Sequence, residues 1–130
     1  MLKGSCLCKS IEFNVIAMEG MVFNCHCHRC KKAHGAAFST QVLAQKESLQ
    51  FTKGKEFLSE FERPSAIRAF CSQCGSRLMN YSRHEDYLSI ALTALDTPMH
   101  TAPIGECFVG QKLEFTSLNP KIPHFKALPS

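Results

Sequence analysis

Residues 68–78 read RAFCSQCGSRL, and the pair Cys71 and Cys74 in this stretch decides how the chain folds. Two thiols three positions apart can grip one metal ion from a tight turn, and Gly75 beside the second supplies the positive φ that such a knuckle needs. Short strands are expected on both sides of the knuckle, over Ala66–Phe70 and Arg77–Tyr81. A structural zinc wants four ligands, and the knuckle has two. The other two must come from a distant part of the chain.

Working outward, the nearest match is GSCLC at residues 4–8. Cys6 and Cys8 are too close to make an unstrained disulfide, but they are a workable metal pair. Joined to Cys71 and Cys74 they form a closed site of four thiolates, which ties down a loop of about sixty residues. Its role is stability. The third group, CHCHRC at residues 25–30, places Cys25, Cys27 and Cys30 together with no adjoining fourth thiol. Three protein ligands and an open position is the layout of a catalytic zinc. Two other outcomes stay open: Cys107, which lies on a predicted strand, could close this site or belong to the core, and His26 or His28 could supply the fourth ligand.

The chain has 130 residues, the size of one domain, with 45% hydrophobic and 20% charged residues. That is ordinary globular usage and excludes a disordered class. No stretch is long and apolar enough to span a bilayer, and MLKGSCLCKSIEF lacks a signal-like apolar segment, so the cytoplasm is the expected compartment. Thiols are kept reduced there, and the 8 cysteines therefore read as metal ligands rather than a disulfide framework. The formal charge of +4 falls to about +1 once seven thiolates and two zinc ions are counted. With the basic residues dispersed apart from Arg29, Lys31 and Lys32, no nucleic-acid partner is expected.

Most of the chain reads as β. Ile11, Phe13 and Val15 alternate with polar residues, as do Leu88, Ile90 and Leu92. A hairpin is expected around Gly54 in LQFTKGKEFLSEF, a strand over Cys107–Phe115 with a turn at Gly110, and a short helix starting within Arg29–Phe38 that Gly35 limits. Three prolines make Leu118–Ser130 an extended surface tail. The ten phenylalanines are expected in the core, with Phe38 a candidate wall of the open site.

In the order GSCLC, CHCHRCKKAHGAAF, GKEFLSEF, RAFCSQCGSRL, a strand ending in ALD, and FVG, the sequence resembles the glutathione-dependent formaldehyde-activating enzymes, a family that includes the domain of centromere protein V. The resemblance implies one domain over residues 1–130 with a β-tent fold of antiparallel sheets. It also implies a structural zinc on Cys6, Cys8, Cys71 and Cys74 and a catalytic zinc on Cys25, Cys27 and Cys30. The implied activity is that of a carbon-sulfur lyase joining glutathione, or a similar thiol, to formaldehyde or another small aldehyde. Arg29, Lys31, Lys32 and Arg77 are the candidate cations for the glutathione carboxylates. The chain departs from the family at Lys9, where a glycine is usual, at Glu106 and Cys107, where a His-Ile pair is frequent, and at Phe115, where a tryptophan is common. The competing class is a non-enzymatic zinc module that carries a thiol adduct or contacts other proteins.

Overall fold

A computed structural model describes residues 1–128. Ten strands follow in chain order: β1 (Leu2–Ser5), β2 (Glu12–Val15), β3 (Ala17–Cys25), β4 (Ser39–Gln45), β5 (Gln50–Lys53), β6 (Leu58–Arg63), β7 (Ala66–Cys71), β8 (Arg77–Tyr81), β9 (Tyr87–Ala91) and β10 (Glu106–Cys107). A single α-helix among the described residues, α1 (His28–His34), lies between β3 and β4. The protein is mainly β, and its sheets are largely antiparallel. No helix among the described residues is long and apolar enough to cross a membrane. The chain packs into two compact units, each made of two segments, with boundaries inside β3 and β4.

The first unit comprises residues 1–19 and 42–99. Here β1, β2 and β5 form a three-stranded sheet, and β6 to β9 pair consecutively. The two-residue period shows most clearly in β7, where Ile67, Ala69 and Cys71 point inward and the residues between them are half-buried. This alternation carries Cys71 to the end of the strand with its side chain inside. Phe13 of β2 is 1% exposed and meets Phe51 of β5 edge to face. Burying one such phenyl group contributes about 1.5–3 kcal/mol.

Gly54 does turn the chain, but the expected hairpin around it does not form. β5 pairs with β2 and β6 with β7, so the two runs flanking the turn belong to different sheets. Gly54 adopts φ +71 and leads into a short 3-10 turn, Lys55–Phe57. That turn supports the metal knuckle, because the Phe57 carbonyl accepts the Ser72 N–H at 2.8 Å.

The second unit comprises residues 20–41 and 100–130. In it β10 lies parallel to β3, with Glu106 opposite Asn24 and Cys107 opposite Cys25. The strand expected over Cys107–Phe115 is cut to these two residues. Phe108 turns left-handed at φ 55, and Val109–Gln111 coil into a 3-10 turn. Phe115 is 83% exposed, and Phe61 of the first unit 52%, so neither joins the core. Beyond Gln111 the chain is irregular, as the prolines imply, although Glu106 receives part of it through a bridge to His124. Pro129 and Ser130, at the end of the expected tail, lie outside the described residues.

A side chain at position 54 has no room: a Cβ there would sit 1.8 Å from the Ser10 carbonyl oxygen. Gly54→Ala combines left-handed strain with a backbone clash, so it is expected to cost about 2–4 kcal/mol of stability in a denaturant titration. A loss under about 0.5 kcal/mol would show that the turn can relax elsewhere.

Candidate metal centres

The four-cysteine group is assembled from two turns of the first unit. Cys6 follows β1, and the chain closes on itself through Lys9 N–H to the Cys6 carbonyl at 3.1 Å and Cys6 N–H to the Ile11 carbonyl at 3.2 Å. Lys9 takes φ 63 in this turn, the left-handed conformation that a glycine would adopt without strain. Its ammonium partly offsets that cost by donating to Ser5 Oγ at 2.8 Å and reaching Asp96 at 3.4 Å. On the other side, Cys71 N–H donates to the Ser76 carbonyl, Gly75 N–H donates to the Cys71 carbonyl, and Gly75 supplies φ 77. The Ser76 hydroxyl accepts the Leu7 N–H at 2.9 Å, which fastens one turn to the other.

The sulfur geometry tests whether a metal fits. All four Sγ atoms lie within 4.8 Å of one another, with Cys6 to Cys8 at 3.6 Å and Cys8 to Cys71 at 3.9 Å. A tetrahedral zinc with sulfur ligands at about 2.3 Å places neighbouring sulfurs about 3.8 Å apart. The residues therefore fit the ion. Peptide N–H groups already face the sulfurs, from Ile11 to Cys6 at 3.2 Å and from Gln73 to Cys71 at 3.3 Å. Such donors favour thiolate over thiol. The Ser76 hydroxyl, 3.2 Å from Cys74, leads the effects that lower its pKa to about 5, and Ser10 lowers that of Cys8. Burial works the other way at Cys71, pushing it up to about 11.

The three-cysteine group belongs to the second unit. Cys25 ends β3, Cys27 caps α1, and Cys30 is the buried residue of that helix. Cys27 Sγ accepts the Cys30 N–H at 3.2 Å, doing the work usually given to a serine or aspartate cap. Gly35 stops the helix in the left-handed conformation. Seven residues are too few for a helix to persist alone in water, so α1 depends on what its sulfurs and its neighbours hold. The three Sγ atoms again lie within 4.8 Å, and no other described Cys, His, Asp or Glu joins the group. Gln41 Nε2 donates to Cys30 Sγ at 3.5 Å. Crowding by the Cys27 and Cys30 thiols raises the Cys25 pKa, and burial adds to it.

The other candidates take separate places. Cys107 is 2% exposed, lies outside the sulfur cluster, and is pushed up to about 11 by burial and the neighbouring Glu106 charge. His26 is fully buried and bound to the Glu106 carboxylate at 2.7 Å, and His28 caps no metal group. Phe38 stacks against His26, with ring centroids 5.0 Å apart. Arg29, Lys31 and Lys32 ride on α1 beside the sulfur group, and the Lys31 ammonium donates to the Gln111 carbonyl. Arg77 opens β8 in the first unit, over the Phe70 ring at 4.9 Å. Residue patterns did not bring forward Gln41 or Gln111, and marked Glu106 only as a departure from the family. The available signal was Glu106 itself, a charge between apolar neighbours in IGECFV, which when buried demands a partner.

Two measurements check this division. Cys71→Ser is expected to abolish cooperative unfolding, whereas Cys25→Ser keeps the fold and loses one of two zinc ions by metal analysis; equal loss of structure in both would contradict separate roles. Protons compete with metal for each thiolate, so a group whose pKa is raised takes its proton at higher pH. The trio contains the raised Cys25, while the staple has Cys74 and Cys8 lowered against Cys71 raised. Acidification in the presence of a chromophoric chelator is expected to release zinc in two steps, from the trio first and from the staple at lower pH; simultaneous release would contradict it.

Comparison with known proteins finds matches over most of the chain. The family model described as glutathione-dependent formaldehyde-activating enzyme matches residues 1–111. A Halomonas elongata protein named "Putative glutathione-dependent formaldehyde-activating enzyme" is 27% identical over 112 residues, covering 79% of this chain and 71% of its own length. A crystal structure of a Rhodobacter sphaeroides protein superposes with a TM-score of 0.65 at 20% identity, covering 95% of this chain and 99% of that one, and so shares the fold. The match over residues 1–111 spans both sulfur groups and the turn that follows β10, and the chain belongs to the glutathione-dependent formaldehyde-activating enzyme family.

Proposed function

We propose that the protein is a zinc-dependent carbon-sulfur lyase of the formaldehyde-activating type, acting as one domain over residues 1–130. In this reading Cys6, Cys8, Cys71 and Cys74 hold a structural zinc, and Cys25, Cys27 and Cys30 hold a second zinc that leaves one position for a thiol cosubstrate such as glutathione. The observation that carries the reading is the unequal convergence of the sulfurs: four meet in one group and three in the other, with Cys107 buried outside it. A zinc with three thiolate ligands supplies Lewis acidity that favours the thiolate form of an added thiol.

The reaction balances without an oxidant or reductant. The thiol gives up its proton, a sulfur electron pair forms the new C–S bond, and the carbonyl π pair moves to oxygen, which regains a proton to give the hydroxymethyl adduct. The chain's own part is to hold the three sulfurs on a rigid strand end and helix start. Burial of Cys30 and the Gln41 donor behind it keep that side of the group dry and fixed. Arg29, Lys31 and Lys32 on α1 are the candidate cations for the carboxylates of glutathione, whereas Arg77 lies on β8 of the first unit.

Exchange spectroscopy of the glutathione and formaldehyde equilibrium tests the reading. The zinc-loaded protein is expected to accelerate exchange in proportion to its concentration, and Cys25→Ser to remove the acceleration while preserving the fold. No acceleration by the two-zinc protein at any concentration would remove the proposed activity.

A further inference from the structure

Glu106 is a buried, hydrogen-bonded carboxylate of the second unit, and the reaction does not use it. It is 3% exposed, and donors surround its carboxylate. Burial pushes the carboxyl up, but the Asn119 N–H, His26 and Asn24 outweigh that and hold it below its usual value. One oxygen faces His26 Nε2 at 2.7 Å and the other accepts the Asn119 N–H at 3.0 Å. Asn24 is itself held by the Thr40 hydroxyl at 2.7 Å. The main chain of Glu106 adds two bonds, its N–H to the Pro123 carbonyl at 3.0 Å and its carbonyl from the Phe125 N–H at 2.8 Å.

His26 stands between Cys25 and Cys27, and its ring is fully buried. Its Nδ1 has no hydrogen-bond partner among the described residues, so the polar anchoring of the ring comes through Glu106. The peptide of His26 is held from the same strand, since its N–H donates to the Cys107 carbonyl at 3.0 Å. Fixing both the ring and the peptide of the residue between two ligands fixes the direction of the Cα–Cβ bonds on either side.

We propose that Glu106 is a positioning residue that, through His26, sets the spacing of the Cys25 and Cys27 sulfurs and so the affinity and geometry of the three-cysteine metal site. The inference rests on the reading of that site as a metal site. It concerns the ligand loop alone and needs no particular substrate. Outer partners of metal-ligand segments commonly change metal affinity by 10–100-fold when removed. Glu106→Gln keeps the volume and one acceptor, but it turns an N–H donor toward either His26 or Asn119, and therefore restores only part of the anchoring.

The test is cobalt(II) titration of the full-length protein, read by the absorption spectrum of each thiolate site. The wild type is expected to bind two ions. Glu106→Ala should weaken the three-cysteine site 10–100-fold and change its ligand-field bands, with an intermediate effect from Glu106→Gln and no change at the four-cysteine site. The staple in the same molecule reports that the fold is intact; if Glu106→Ala does not fold, the Glu106→Gln spectrum decides. His26→Ala should weaken the same site, and the double variant with Glu106→Ala should be no weaker than the worse single one, because the two residues act as one unit. Additive losses, or a three-cysteine spectrum and affinity unchanged in Glu106→Gln and Glu106→Ala, would overturn the proposal. A wild type that binds cobalt at the four-cysteine site alone would overturn the metal reading of the trio and this inference with it.

Discussion

The fold depends on the convergence of four sulfurs from two turns that lie more than sixty positions apart in the chain. Cys6 and Cys8 leave the end of β1, Cys71 and Cys74 form the corner between β7 and β8, and their Sγ atoms meet within 4.8 Å. Four thiols this close are unfavourable company unless a cation sits among them, since each ionised sulfur repels the others. The surrounding peptide N–H groups and the Ser10 and Ser76 hydroxyls are arranged for negative charge on sulfur. The turn at Gly54 belongs to the same construction, because its 3-10 extension braces the knuckle through Ser72. Strain at Lys9 is tolerated for the same reason: the ends of that turn are tied by hydrogen bonds to Cys6 and by the sulfur group itself.

The second sulfur group is built on different terms. Its three ligands come from six consecutive residues, so bringing them together costs little chain entropy and closes no long loop. What it needs is orientation, and the 106–111 segment provides it. Cys107 and Glu106 hold His26, while Gln111 accepts the His28 N–H through its side chain and the Lys31 ammonium through its carbonyl. A short helix capped by a cysteine and limited by a glycine completes the group. One group thus joins distant parts of the chain, and the other depends on how its short ligand loop is oriented.

Much of this was legible in the sequence because the chemistry is local. The spacing of the cysteines separated a group of four from a group of three, short strands were legible at β7 and β8, and the alternation of Leu88 and Ile90 located β9. The short helix expected near Arg29 forms as α1, one residue earlier, and Gly35, which argued against a long helix, caps its end. The misreadings concern pairing rather than local conformation. Gly54 was correctly read as a turn, but its flanking strands join different sheets, and no local pattern records which partner a strand will find. Likewise the apolar run from Cys107 to Phe115 looks like a strand, yet Phe108 turns left-handed and ends the ladder after two residues.

The sequence by itself determined the two cysteine groups, the mainly β class and the membership of the family, because these follow from residue type and spacing. Only the tertiary structure decided the surroundings of the three-cysteine group: that Cys107 stays in the core, that Glu106 closes on His26 eighty positions away, and that Lys31 and Gln111 bind one another. Those outcomes rest on burial. A buried charge must find donors wherever the fold places them, and that place is set by long-range packing that no short stretch of residues encodes.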